Sequence, residues 1–213
     1  MKEHGLKVLL LDIGGVLLTN GWGKEQRESV LEQFQLDEAE FTPIHQLNFD
    51  TYELGKLTLD EYLQRTVFYK KRDFTMADFR KAMLEQSLAL PGAIDFFKKI
   101  KQEHQLKVFA LSNEGRELNE HRIAKFKLNE LFDAYVSSCY VNLRKPDAQI
   151  YKLAIDITRV KKNEALYVDD RKGLIDVAAS LGIPSLHHTT IEQTEQLMNT
   201  SGLLLGANAT YGR

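Results

Sequence analysis

A short apolar run, Lys7-Val8-Leu9-Leu10-Leu11, stops at Asp12 and is followed by a glycine pair, Gly14-Gly15. Nothing in it alternates polar with apolar, so both faces are covered, as in a central strand of a parallel sheet. Parallel neighbours need crossovers long enough to carry a helix. Four later runs, at 107–111, 134–138, 165–168 and 184–187, supply them, spaced by about 20 to 35 residues. The chain therefore predicts an α/β fold with a central parallel sheet.

The helices between the runs carry their own punctuation. Pro91 precedes a helix over 92–104, Pro146 opens one running to about 157, and Gly182 follows one over 172–181. Between the first run and Pro91 no strand pattern occurs, so an all-helical unit interrupts the sheet. This divides the chain into a core of 1–17 and 91–213 and an inserted unit of 18–90. Within the insertion Thr58-Leu59-Asp60-Glu61 reads as a capping box opening a helix to about 69, with further helices over 23–36 and 75–88.

Composition narrows the function. Lys+Arg of 28 against Asp+Glu of 30 leaves a net charge of −2, with no basic excess for nucleic acid or an anionic membrane. No stretch reaches the ~20 apolar residues of a membrane span. The single cysteine, Cys139, cannot form an internal disulfide. A cytoplasmic, reducing setting is expected, with a small molecule as partner; the chain is expected to be a monomer or homodimer, a choice the sequence does not make.

Every strand of a parallel sheet delivers its C-terminal end to one edge, where ligands bind. That edge collects Asp12, Ser112-Asn113-Glu114, Arg144-Lys145-Pro146-Asp147 and Asp169-Asp170-Arg171. Any one of these could be a helix cap; four together point to a site. Adjacent carboxylates such as Asp169-Asp170 repel unless a cation or proton lies between them. A hard divalent ion, with Asp12 as a further oxygen ligand, resolves this, and Mg2+ takes one or two carboxylates plus water and substrate oxygens. A carboxylate beside such an ion can attack phosphorus, with Ser112 and Lys145 serving the transferred group.

In order and spacing these segments resemble the four motifs of the haloacid dehalogenase-like (HAD) hydrolase superfamily. Leu9-Leu10-Leu11-Asp12-Ile13-Gly14-Gly15-Val16-Leu17 is similar to the first, Leu111-Ser112-Asn113 to the second, Arg144-Lys145-Pro146-Asp147 to the third and Tyr167-Val168-Asp169-Asp170 to the fourth. The insertion resembles the family's helical C1 cap, within the branch of glucose-1-phosphate phosphatase-like proteins and the amino-terminal phosphatase domain of soluble epoxide hydrolase. The resemblance implies a Rossmann-like three-layer α/β/α core and a Mg2+-dependent phosphatase of a small phosphorylated metabolite. Asp12 would be the nucleophile, and Asp12, the Gly14 carbonyl, Asp169 and Asp170 would hold Mg2+. Ser112, the Asn113 amide and Lys145 would bind the phosphoryl group.

One position departs from that pattern. Family phosphatases usually carry a second aspartate two residues after the nucleophile, and this chain has Gly14 there. Such a general acid contributes about 10² to 10⁴-fold. Three readings follow: substrates with good leaving groups, a replacement acid from His45, Asp50 or Glu53, or a weakened protein that binds and regulates. A dehalogenase, which attacks carbon without a metal, has little use for Asp169-Asp170. Trp22, His45, Asn48 and Tyr52 either gate entry or pack the insertion. His187-His188 fall on opposite faces of a strand and do not chelate one ion. Leu203-Leu204-Leu205 reads as a tail packing on the core or a partner.

Overall fold

The computed structural model describes residues 5–200 of the 213-residue chain; Leu203–Leu205 lie outside them. Five strands form one all-parallel sheet in the order β3-β2-β1-β4-β5. They are β1 (Val8–Leu11), β2 (Lys107–Ser112), β3 (Ala134–Ser137), β4 (Ala165–Asp169) and β5 (Ser185–His187). The chain leaves β1 toward β2 and β3, then returns to β4 on the other side of β1. A crevice therefore opens beyond the ends of β1 and β4.

The unbroken apolar run of β1 is explained by helices on both faces of the sheet. Leu9 and Leu11 join Val108, Ala110, Leu166 and Val168 on one face, under Phe97 and Ile100 of α5 (Ala93–Glu103). Val8 and Leu10 join Leu111, Val136 and Tyr167 on the other. There α8 (Ala148–Thr158) contributes Ile150, Tyr151 and Ala154, and α9 (Lys172–Ser180) contributes Ile175 and Ala178. Two-residue periodicity sends consecutive side chains into opposite layers. This is a Rossmann-like α/β fold.

Four helices lie between β1 and α5: α1 (Lys24–Gln33), α2 (Glu38–Glu53), α3 (Leu59–Thr66) and α4 (Met76–Glu85). They share an aromatic-rich cluster built on Trp22, Phe41, Tyr52, Tyr62 and Phe79, which Leu118 of α6 (Arg116–Lys125) enters from the sheet side. Thr58 and Glu61 form the expected capping box, and Glu117 of α6 accepts from the Leu59 amide at 3.0 Å. Where the chain leaves and re-enters the sheet layer, the Leu18 and Ala89 backbones form an antiparallel bridge.

Some elements differ from the sequence-based expectation. The helix expected over 23–36 spans 24–33, and the strand expected to reach 138 ends at Ser137, where α7 (Ser138–Val141) begins. The longest inserted helix, α2, was not expected. Pro43 sits inside it, yet Asp37 caps its first turn and Phe41, His45 and Tyr52 are buried on one face. Tertiary burial outweighs the hydrogen bond Pro43 cannot make.

Candidate active site

Asp12 leaves β1 at the crevice and is buried. Its Oδ1 accepts from the Ile13 amide at 2.8 Å, and its Oδ2 lies 3.2 Å from Lys145 Nζ. The same Lys145 Nζ reaches Asp169 Oδ2, at the end of β4, at 2.6 Å. Lys145 is itself buried and is positioned through Asn113. The Asn113 amide nitrogen donates to the Lys145 carbonyl and its oxygen accepts from the Lys145 amide, both at 2.8 Å. The loop after β2 therefore sets the lysine that bridges two carboxylates from other strands.

Asp169 is held further by the Tyr167 hydroxyl and by the Arg171 amide at 2.8 Å. Asp12, Asp169 and Asp170 each bring an oxygen within 4.8 Å of the others. Burial raises the Asp12 carboxyl and Asp169 raises it further, while Lys145 and the Ser112 hydroxyl pull it down; the net direction is upward. At Asp169 burial also acts upward, but Lys145 and the hydrogen bonds prevail and the group lies low. Asp170 is pushed up to about 6 by burial and by Asp12 and Asp169. Its Oδ1 is buried without a protein hydrogen-bond partner. Three crowded carboxylates facing one lysine, with one oxygen bare, suit a hard divalent cation.

Gly15 makes this approach possible. Its φ is +70°, and a Cβ there would meet Asp170 Oδ2 at 2.2 Å. Gly14 differs, because its backbone accepts a side chain. A Cβ at Gly14 would lie 2.9 Å from Asn20 Oδ1, so the Asn20 amide stands where a side chain at that position would begin.

Asp12, Gly14, Ser112 and Asn113 line a cavity of about 290 Å³, roofed by Trp22, Arg27, Phe49, Tyr52 and Glu53 from the inserted segment. Of the three residues considered as replacement acids, Glu53 alone lines it. His45 is buried against the Tyr62 hydroxyl at 2.7 Å, and burial lowers it to about 4. Asp50 is exposed and pairs with Arg144 at 2.9 Å. Glu53 accepts from Arg144 at 3.0 and 2.6 Å, and its burial, opposed by Arg144, raises its carboxyl. The Ser138 hydroxyl donates to the Glu53 carbonyl at 2.6 Å and accepts from the Glu114 amide at 2.9 Å, fastening α2 to the loop after β2.

Trp22 lines the cavity yet packs the insertion, donating to the Tyr62 hydroxyl at 3.0 Å. Asn48 is tied to the Ile44 carbonyl, away from the cavity lining. His187 bonds the Asp170 carbonyl at 2.8 Å, whereas His188 bonds Thr194 Oγ1 at 2.7 Å, so the two serve different partners. Sequence reasoning did not single out Asn20, Arg27 or Arg122. Arg122, buried on α6, pairs with Glu114 and donates to the Thr19 carbonyl. Its partners are 8 and 103 residues away, and no local pattern announces them.

A carboxylate cluster at the switch point of a parallel sheet, beside an inserted helical segment, is an enzyme-type site on a Rossmann-like α/β fold. The chain belongs to the haloacid dehalogenase-like hydrolase family, whose pattern it matches over residues 6–182. It is 31% identical over 77 residues to the bifunctional epoxide hydrolase 2 of Mus musculus, a match covering 36% of this chain and 14% of that protein. The chain spans between 7% and 37% of the length of the curated relatives it matches. Its fold is similar to that of the HAD family enzyme BT-2542 from Bacteroides thetaiotaomicron in complex with magnesium and inorganic phosphate. That likeness has a TM-score of 0.71 and 22% identity, and covers 87% of this chain and 95% of the other. The fold is also similar to that of the L-2-haloacid dehalogenase PA0810, at TM-score 0.63 and 17% identity over 86% of this chain and 84% of the other.

A cation bound by these carboxylates competes with protons. With Asp170 at about 6, the group is ionised above that pH and protonated below it. We expect Mg2+ affinity measured by titration calorimetry to be flat from pH 7 to 8 and to weaken about tenfold by pH 5. Equal affinity at pH 5 and 7.5 would remove Asp170 from the ligand set.

Proposed function

We propose that the chain is a Mg2+-dependent phosphomonoesterase for a small phosphorylated metabolite, with core 1–17 and 91–213 and a cap of 18–90. One observation supports this above all: carboxylates from the ends of β1 and β4 converge with Lys145 beside the cavity that Asp12 lines. Asp12, the Gly14 carbonyl, Asp169 and Asp170, the last directly or through water, would hold the ion. When bound, Mg2+ would neutralise charge on the phosphoryl oxygens.

Asp12 attacks phosphorus, the bond from phosphorus to the leaving oxygen breaks, and that oxygen departs with the electron pair. Ser112, the Asn113 amide and Lys145 hold the phosphoryl oxygens as their charge grows. Water then adds to phosphorus, the bond to Asp12 breaks, and phosphate leaves as the water's proton passes to solvent. The insertion limits water access and selects the leaving group. No helix among the described residues is long and apolar enough to cross a membrane; the cytoplasmic setting rests on the single cysteine, which suits a reducing compartment. Assay of an aryl phosphate with Mg2+ and with EDTA tests the reading, and metal-independent hydrolysis would reject it.

Gly14 favours a second reading, a HAD-fold protein that binds and regulates with little turnover. Gly14→Asp separates the two, since the backbone accepts a side chain there and the nearest obstacle is the end of the Asn20 amide. For a working phosphatase lacking only its acid, kcat on an alkyl phosphate rises about 100-fold, while an aryl phosphate with a good leaving group gains little. No gain on either, with Mg2+ binding retained, would favour the binding protein. A dehalogenase reading is disfavoured because carbon attack leaves Asp170, whose Oδ1 is buried without a protein partner, without a role.

A further inference from the structure

The cavity lining carries three guanidinium groups and three carboxylates, and they are not all paired with one another. Its acids are each matched: Asp12 by Lys145, Glu53 by Arg144 and Glu114 by Arg122. Two of its guanidinium groups are not, because among the described residues neither Arg27 nor Arg171 has a carboxylate oxygen within 4.0 Å. Arg27 comes from the inserted segment and Arg171 from the sheet edge. Arg171 follows Asp169 and Asp170 at the sheet edge and feels Asp12, Asp169 and Asp170 most strongly among charged groups. That places it beside the phosphoryl position.

Arg27 comes from the first turns of α1, in the roof. Its side chain makes one hydrogen bond among the described residues, to the Trp22 carbonyl at 2.6 Å. That bond fixes the guanidinium and leaves the other donors of its fork for a ligand. Burial lowers Arg27, opposed by Tyr62, Glu28, Glu38 and Glu53. The neighbouring roof residue Phe49 is half-buried and apolar. The cavity that both residues line has a volume of about 290 Å³.

We propose that Arg27 reads a second anionic group, a carboxylate or a further phosphoryl, on the leaving-group end of the substrate, so that the preferred phosphomonoester is doubly anionic rather than a neutral sugar phosphate. This deepens the phosphatase reading and rests on it. Arg27 is a specificity residue and takes no part in bond making. Paired against one fixed anion in a sheltered site, its charge-assisted bonds discriminate by about tenfold or more.

Non-hydrolysable phosphonates test the idea without requiring turnover. The Mg2+-loaded chain is titrated with benzylphosphonate, 4-carboxybenzylphosphonate and p-xylylenediphosphonate. We expect at least one doubly anionic probe to bind about tenfold tighter than benzylphosphonate, and the better of the two identifies the second group. In Arg27→Gln that ratio falls to about one, and in Arg27→Lys, which keeps the charge without the fork, it stays intermediate. Equal affinities in the wild-type chain, survival of the preference in Arg27→Gln, or no binding of any probe at millimolar concentration overturns the proposal. If phosphonate binding ignores Mg2+ while the Arg27-dependent ratio persists, the phosphatase reading fails and the anion subsite stands.

Discussion

Asp12→Asn lowers kcat on an aryl phosphate by about 10⁴-fold or more while the protein remains folded. An amide has no carboxylate oxygen to donate to phosphorus, so the loss falls on the step that makes the new bond and appears in kcat and kcat/KM alike. Stability moves the other way. Asp12 is buried close to Asp169 and Asp170, and its ionised form is disfavoured by burial and by Asp169. Replacing it with a neutral isostere relieves that repulsion, so the melting temperature in EDTA is unchanged or higher. Hydroxylamine, which cleaves acyl phosphates, captures the intermediate on Asp12 in the wild-type chain and nothing in the variant. Retention of activity within tenfold, or capture at another residue, removes Asp12 as nucleophile.

Lys145→Met gives the largest stability change. Lys145 is, among the described residues, the side-chain cation within 4.0 Å of both Asp12 and Asp169, and all three are buried. Its removal strands two acids in a poorly solvated site. Breaking a buried pair by deleting one partner costs about 3–5 kcal/mol, or roughly 6–20 °C in melting temperature for a chain of this size. The sign of the pH dependence follows from Asp169, which Lys145 and hydrogen bonds hold below its ordinary value. Such a group contributes stability above its unfolded pKa and loses it as pH falls through the folded value. With Lys145 gone that contribution vanishes, so the gap between wild type and variant is widest at neutral pH and closes toward acid. Mg2+ restores part of the loss by returning positive charge to the same carboxylates. Unchanged melting in EDTA at pH 7.5 would show that the pair is not the structural keystone these distances imply.

Much of this was legible before any coordinates. The run 8–11 carried its own depth, because a strand covered on both faces is what four consecutive apolar residues suit. The capping box at Thr58 is local chemistry completed within four residues, and it formed as read. The aspartates could be assigned to one edge because parallel topology leaves no other place for them. Helix α2 was hidden, since Pro43 disguises its start and burial of Phe41, His45 and Tyr52 is its main support. His45 and Asp50 looked as eligible as Glu53, and only the rotation of α2 decided which of them faces the cavity.

Sequence alone determined the succession of the five strands, the carboxylates at the strand ends and the missing acid at Gly14, because each is written in spacing and local residue type. Tertiary structure decided the rest: Lys145 bridging two strands' aspartates, Asn20 occupying the space beside Gly14, and Arg27 lining the cavity with no carboxylate within 4.0 Å among the described residues. Such relations depend on distances between segments far apart in the chain, and those distances are set by how the helices pack.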